Sequence, residues 1–181
     1  MTDDLIACWA DLLVDYCLRV APGETILISS EWEARPLVEA CYRSIVLREA
    51  HPLVRLDLPG LYEFFLRNAT EAQLAHAPPV ALFEAETAHA RIRIAAESDT
   101  RALRTIDPAR QAAVDRARDP IRKAASRSRW VVTQYPTRAY ARDAGMELPD
   151  YEAFVASAMF LDRPDPVAAW QELGRRQAGL V

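Results

Sequence analysis

The segment Pro22-Gly23-Glu24-Thr25-Ile26-Leu27-Ile28 sets a helix-breaking turn directly before a short run of apolar and β-branched residues. Such a run without polar alternation suits a strand covered on both faces, as in a parallel sheet. Upstream, Thr2 and Asp3 offer a helix cap, and Leu5, Cys8, Trp9, Leu12, Leu13, Tyr16, Cys17 and Val20 recur at three- and four-residue intervals, the stripe of a core-facing helix. Downstream, Ser29 or Ser30 can cap a second helix that places Leu37, Val38, Cys41, Tyr42, Ile45 and Val46 on one side. The order is helix, strand, helix.

Alternation continues along the chain. Pro52 ends helical continuation, with His51 at a loop boundary, and Leu53 to Leu58 alternates apolar residues with Arg55 and Asp57, as a strand near a sheet edge does. After Pro59-Gly60 comes a small helical insertion, with a capping box from Thr70 to Gln73, that the Pro78-Pro79 pair interrupts. Ala90 to Ala95 reads as a third strand with one wetter face. Asp107-Pro108 then opens a charged surface helix that runs through Arg122 and Lys123. Trp130 to Gln134 is the fourth strand, with Trp130 facing the core. Thr137 caps a helix from Arg138 to Asp143, for which Gly145 is the left-handed stop. Pro149 and Asp165-Pro166 open two further helices, the last with Val167, Trp170 and Leu173 turned inward. The pattern predicts an α/β fold: a single domain over residues 1–181, with a small mostly parallel sheet flanked by helices and a helical C-terminal segment.

An apolar fraction of 51% in 181 residues gives such a domain enough material for a core without metals or disulfides. Three cysteines cannot all pair, and Cys8, Cys17 and Cys41 lie in apolar helix patterns as small buried hydrophobes, so a reducing, cytoplasmic setting is expected. A net charge of −4 argues against generalised attraction to nucleic acid. No 18-residue apolar run suits a bilayer, and the acidic start lacks the basic region of an export signal, so neither membrane insertion nor export is expected.

Catalytic residues do not assemble from local spacing. His51, His76 and His89 are far apart and lack the close spacing of helix-borne metal ligands. Glu84 and Glu86 upstream of His89 give a carboxylate and imidazole collection, which a solvated helix end explains more simply than a metal site does. Ser29-Ser30 lacks a nucleophile elbow. Neither a glycine-rich dinucleotide loop, a phosphate-binding loop nor a paired-cysteine motif is present. Arg129 and Arg138 flank Trp130, Tyr135 and Tyr140, a basic aromatic group that could stack on a base or a peptide but fits packing better. The residues themselves therefore nominate no catalytic, cofactor-binding or metal-binding side chain.

Taken together, Arg129-Trp130-Val131-Val132-Thr133-Gln134-Tyr135-Pro136-Thr137, Ala141, Gly145-Met146 and Leu161-Asp162-Arg163-Pro164-Asp165-Pro166-Val167-Ala168-Ala169-Trp170 resemble the thermophilic-type metalloaminopeptidases, the family of the AmpS- and PepS-type leucyl aminopeptidases. Leu12 to Leu18, Pro22 to Ile28, Ala90 to Ile94 and Ile106 to Arg110 extend the likeness over nearly the whole chain, which looks like that family's amino-terminal domain. His51-Pro52 and Tyr140 depart from the family's usual residues. The resemblance implies a two-domain enzyme that removes amino-terminal residues from peptides using two divalent metals (cobalt, zinc or magnesium). The metals polarise the peptide carbonyl and activate water, and their ligands lie in a carboxy-terminal catalytic domain outside residues 1–181. It assigns capping and packing roles to Asp162, Asp165 and Trp170. It also implies that this chain alone is inactive, a scaffold that shapes substrate access, with the catalytic domain, a peptide substrate and in some settings a second copy as partners. The alternative is a stand-alone protein-interaction or regulatory domain built on the same scaffold.

Overall fold

The computed structural model describes residues 1–179. Helix α1 (Asp3–Asp11) starts at Thr2, whose side chain accepts from the Leu5 N–H, and runs into a π-helical turn over Leu12–Cys17. Strand β1 (Thr25–Glu31) leads through a short 3₁₀ turn into α2 (Arg35–Leu47), then β2 (His51–Asp57). Three helices follow, α3 (Leu61–Asn68), α4 (Glu71–Leu74) and α5 (Pro79–Thr87), before β3 (Ala90–Ala95). Helices α6 (Pro108–Ala117) and α7 (Asp119–Ala125) precede β4 (Arg129–Gln134), and α8 (Arg138–Asp143), α9 (Leu148–Ala158) and α10 (Pro166–Ala178) complete the described chain.

The four strands are parallel, in the order β2-β1-β3-β4. The chain steps from β1 to β2 in one direction, then crosses back over β1 to reach β3 and continues to β4. With right-handed crossovers, α2 must lie on one face and the β2–β3 and β3–β4 connections on the other, the doubly wound arrangement. The contacts agree: α1 packs on α2, and α5 packs on α7. The first face is apolar. Ile26, Ile28, Ile92 and Ile94 are fully buried in one cluster with Trp9, Leu13, Leu37, Cys41 and Ile45. The second face, set by the two-residue alternation, carries Leu27, Ser29, Arg55, Arg91, Arg93, Trp130 and Val132. Helix α5 covers part of it, with Glu84 pairing with Arg55 and the Ala85 carbonyl accepting from Arg91 at 2.6 Å.

Several sequence expectations are corrected. Ser29 and Ser30 cap nothing; they lie inside β1, where Ser30 is buried. His51 is the first residue of β2, not a loop boundary, and its N–H donates to the Glu24 carbonyl at 2.7 Å. By alternation the neighbouring Pro52 nitrogen points away from β1, so a proline costs this edge strand no ladder bond. Cys17 is exposed although Cys41 is buried and Cys8 half-buried. The cause is the π turn, where the Leu18 N–H donates to Leu13 five residues back, rotating Cys17 outward and Val14 and Leu18 inward. Burial pushes the Cys41 thiol up to about 12. Tyr42 and Val46 are half exposed, because α2 buries a narrower stripe through Leu37, Ala40, Cys41, Ser44 and Ile45. The charged helix after Asp107 is two helices, since Pro120 starts a new one at its first turn. Pro79 likewise begins α5. Trp130 faces solvent, at 64% exposure, because even-numbered β4 residues sit on the half-covered second face. Thr70 and Gln73 do form the capping box, and Gly145, at φ +68°, stops α8.

Two outcomes are expected. Ile92→Ala removes a fully buried side chain from the middle of the sheet and should cost about 2–5 kcal/mol in urea unfolding. Glu24 accepts from Arg129 and from the Ala21 N–H, and the Arg129 hydrogen bond holds its carboxyl below the usual carboxylate range. That stabilisation is present above the carboxylate's ordinary pKa and is lost as pH falls through the lowered one. Glu24→Gln should therefore weaken the fold at neutral pH and have little effect in acid, as read from unfolding midpoints at the two pH values.

Candidate functional site

A doubly wound sheet has one place where neighbouring strands send their connections to opposite faces, and a crevice opens there at the carboxyl ends of the strands. Here it lies between β1 and β3, and a crevice of about 530 Å³ occupies it. Glu31 ends β1, Asp57 ends β2 and Arg93 rises from β3; Tyr62 and Glu63 come from the start of α3, and Arg118 from the α6–α7 junction. Gly60, at φ +81°, makes the tight turn that admits α3 to this rim.

The crevice floor is an ion-pair and hydrogen-bond set. Glu31 binds Arg93 through one carboxylate oxygen and accepts from the Ala96 N–H through the other at 2.7 Å; Arg93 also lies 3.9 Å from Asp57. Arg118 stands over the Tyr62 ring at 5.9 Å. Glu33, Glu63, Glu97 and Asp99 add further carboxylates to the lining, and the Glu33 Oε2 is buried without a hydrogen-bond partner among the described residues. β1 ends in Ser30-Glu31 and the turn after it begins Trp32-Glu33, so carboxylates stand where phosphate-binding sheets place glycine N–H groups. At the centre of the crevice Glu31 and Arg93 pair with one another, and the remaining carboxylates leave its lining acidic.

The structure does not bring together the side chains that the sequence offers as metal candidates. His51, His76 and His89 are all exposed on separate segments. The His89 Nδ1 accepts from the Thr25 N–H at 3.0 Å, which locks the imidazole to the start of β1. Glu84 is engaged by Arg55, and Glu86 is exposed. Among the described residues no group of three His, Cys, Asp or Glu side chains is arranged to hold a metal. The donor set of these residues therefore does not fit a divalent metal centre.

The aromatic group near β4 divides by role. Tyr135 stacks on Trp9 with ring centres 6.2 Å apart. The Tyr140 hydroxyl accepts from the Glu97 N–H at 3.2 Å, and burial pushes its pKa up. Thr137 accepts from the Tyr140 N–H and donates to the Glu97 carbonyl at 2.8 Å, so it caps α8 and ties it to the strand ends. Arg129 binds Glu24 and the Leu18 and Arg19 carbonyls. Asp165 caps α10 through the Ala168 N–H; Trp170 donates to the Met159 carbonyl at 3.1 Å and meets Phe160 edge-on at 5.3 Å. Asp162 caps nothing and lies 3.9 Å from Arg163. The residues that sequence reasoning passed over are Glu31, Asp57, Arg93 and Arg118. For Glu31 and Asp57 the available signal was a carboxylate closing each strand; Arg93 and Arg118 carried no such signal.

Fold and site together define a doubly wound α/β domain whose switch-point crevice is floored by the Glu31–Arg93 ion pair and which carries no metal cluster among its described residues. Residues 2–180 match the family described as thermophilic metalloprotease (M29), and the chain belongs to that family. It is 29% identical over 190 residues to Aminopeptidase 2 of Geobacillus stearothermophilus, a match that takes in 96% of this chain and 46% of that protein. It also superposes on wild-type AmpT from Thermus thermophilus with a TM-score of 0.74 at 22% identity, over 96% of this chain and 46% of that one, a likeness of fold. The chain thus spans about half the length of the relatives it matches.

Glu31→Ala leaves the Ala96 N–H and the Arg93 guanidinium without their shared partner. Urea unfolding should show a loss of about 1–3 kcal/mol, with Glu31→Gln recovering part of it.

Proposed function

We propose that this chain is the amino-terminal domain of a cytoplasmic aminopeptidase that removes amino-terminal residues from peptides, and that it supports the reaction without performing it. In this reading the two divalent metals are held by a carboxy-terminal catalytic domain. Residues 1–181 scaffold that domain and shape the approach of the peptide. The observation that carries the reading is the half-length match: nearly all of this chain aligns with under half of Aminopeptidase 2, in a family described by metal-dependent proteolysis. The donor chemistry agrees, because Glu31 at the crevice is engaged by Arg93 and the Ala96 N–H, and no three His, Cys, Asp or Glu side chains among the described residues gather around a common point.

The deciding measurement is peptide hydrolysis with cobalt, zinc or magnesium by purified residues 1–181 and by any longer product that the same gene encodes. Turnover is expected only from the longer product. Metal-dependent cleavage by residues 1–181 that survives repeated purification would defeat the division of labour.

A further inference from the structure

The two edges of the sheet are built differently. β2, at one edge, carries Pro52 and the charged side chains of Arg55 and Asp57, the features that blunt a strand against further pairing. β4, at the other edge, reads Arg129-Trp130-Val131-Val132-Thr133-Gln134, with no proline and no charge after its first residue. Among the described strands it is hydrogen-bonded to β3 alone. The Tyr135 N–H, just past its end, donates to the Ala95 carbonyl at 2.8 Å. By alternation along the ladder, the backbone groups of Trp130, Val132 and Gln134 therefore turn away from β3. The same residues place exposed apolar side chains on the second face, Trp130 at 64% and Val132 at 57%. Outward-turned backbone and exposed tryptophan on one unguarded strand are the marks of a surface that another segment covers.

We infer that the β4 edge, with Trp130 and Val132, is the seat of the other half of the family protein, the part that Aminopeptidase 2 has and this chain does not span. The inference rests on the two-domain reading above. The relative's sequence extends over more than twice the matched length, which supplies a partner of domain size. The course of the chain brings its last described helix to the β4 side of the sheet, on the first face: α10 packs on the π turn, and Arg129 at the head of β4 donates to the Leu18 and Arg19 carbonyls just beyond that turn. The opposite edge is blunted against strand pairing by Pro52 and its charges.

Hydrogen–deuterium exchange of the β4 amides, measured in residues 1–181 and in the longer product of the same gene, tests this together with the peptide hydrolysis of each. The Trp130, Val132 and Gln134 amides should exchange at least about tenfold more slowly in the longer product, with the exposed α3 segment around Leu61 unchanged. Trp130→Lys in the longer product should abolish most of that protection and speed proteolytic separation of the halves, while Trp130→Phe and the control Leu61→Lys should not. An active longer product whose β4 amides exchange as they do in residues 1–181 overturns the docking surface and leaves the two-domain reading standing. A reading frame that stops at Val181 overturns both. Self-association of residues 1–181 that Trp130→Lys abolishes would give the edge to a second copy and overturn the assignment.

Discussion

Parallel strands cannot be joined by tight hairpins, so each connection must travel back across the sheet, and every other feature of this molecule follows from where those crossings fall. Because β1 sits between β2 and β3, the chain reverses its direction of travel once. That reversal sends α2 to one face and α5 and α7 to the other. It also opens the crevice at the carboxyl ends of β1 and β3. The apolar face is sealed by Ile26, Ile28, Ile92 and Ile94 beneath α1 and α2. The other face is only partly roofed, and its arginines are answered one by one: Arg55 by Glu84, Arg91 by the Ala85 carbonyl and Ser128, Arg93 by Glu31. A polar sheet face can be tolerated because each guanidinium has a partner close by and its charge stays near water.

Element type was readable from the chain because local chemistry and global fold agree. Pro-Gly turns, Asp-Pro starts and the Thr70–Gln73 box each act within a few residues, and each appears where spacing places it. What was not readable depended on distant partners. The outward turn of Cys17 follows from one extra residue accommodated in a π turn, and the first helix looks equally regular in sequence with or without it. The exposure of Trp130 depends on which strand lies at the edge, and a tryptophan in an apolar run reads as core until strand order is known. His51 looked like loop because proline follows it, yet an edge strand accepts proline wherever the nitrogen faces outward.

The crevice was invisible for a related reason. Glu31, Asp57 and Arg93 are separated by dozens of residues and form a site only once their strands are aligned in register, with Glu31 beside Asp57 across the β1–β2 pair. The histidines, in contrast, attract attention in sequence and disperse in space, His89 serving to fasten the entrance of β1. Kinship with the thermophilic metalloproteases rests on the match along residues 2–180 and not on any chemical group in the chain. In this molecule, then, family membership and reactive chemistry are legible at different scales.

The unequal borders of the sheet also limit how copies could aggregate. Endless head-to-tail strand addition needs a donor rim and a receptor rim on every molecule, and Pro52 with its neighbouring charges removes one of them. Any association through β4 uses up the one receptive rim of the described sheet on each participant, so it terminates in a finite particle instead of growing into a fibre.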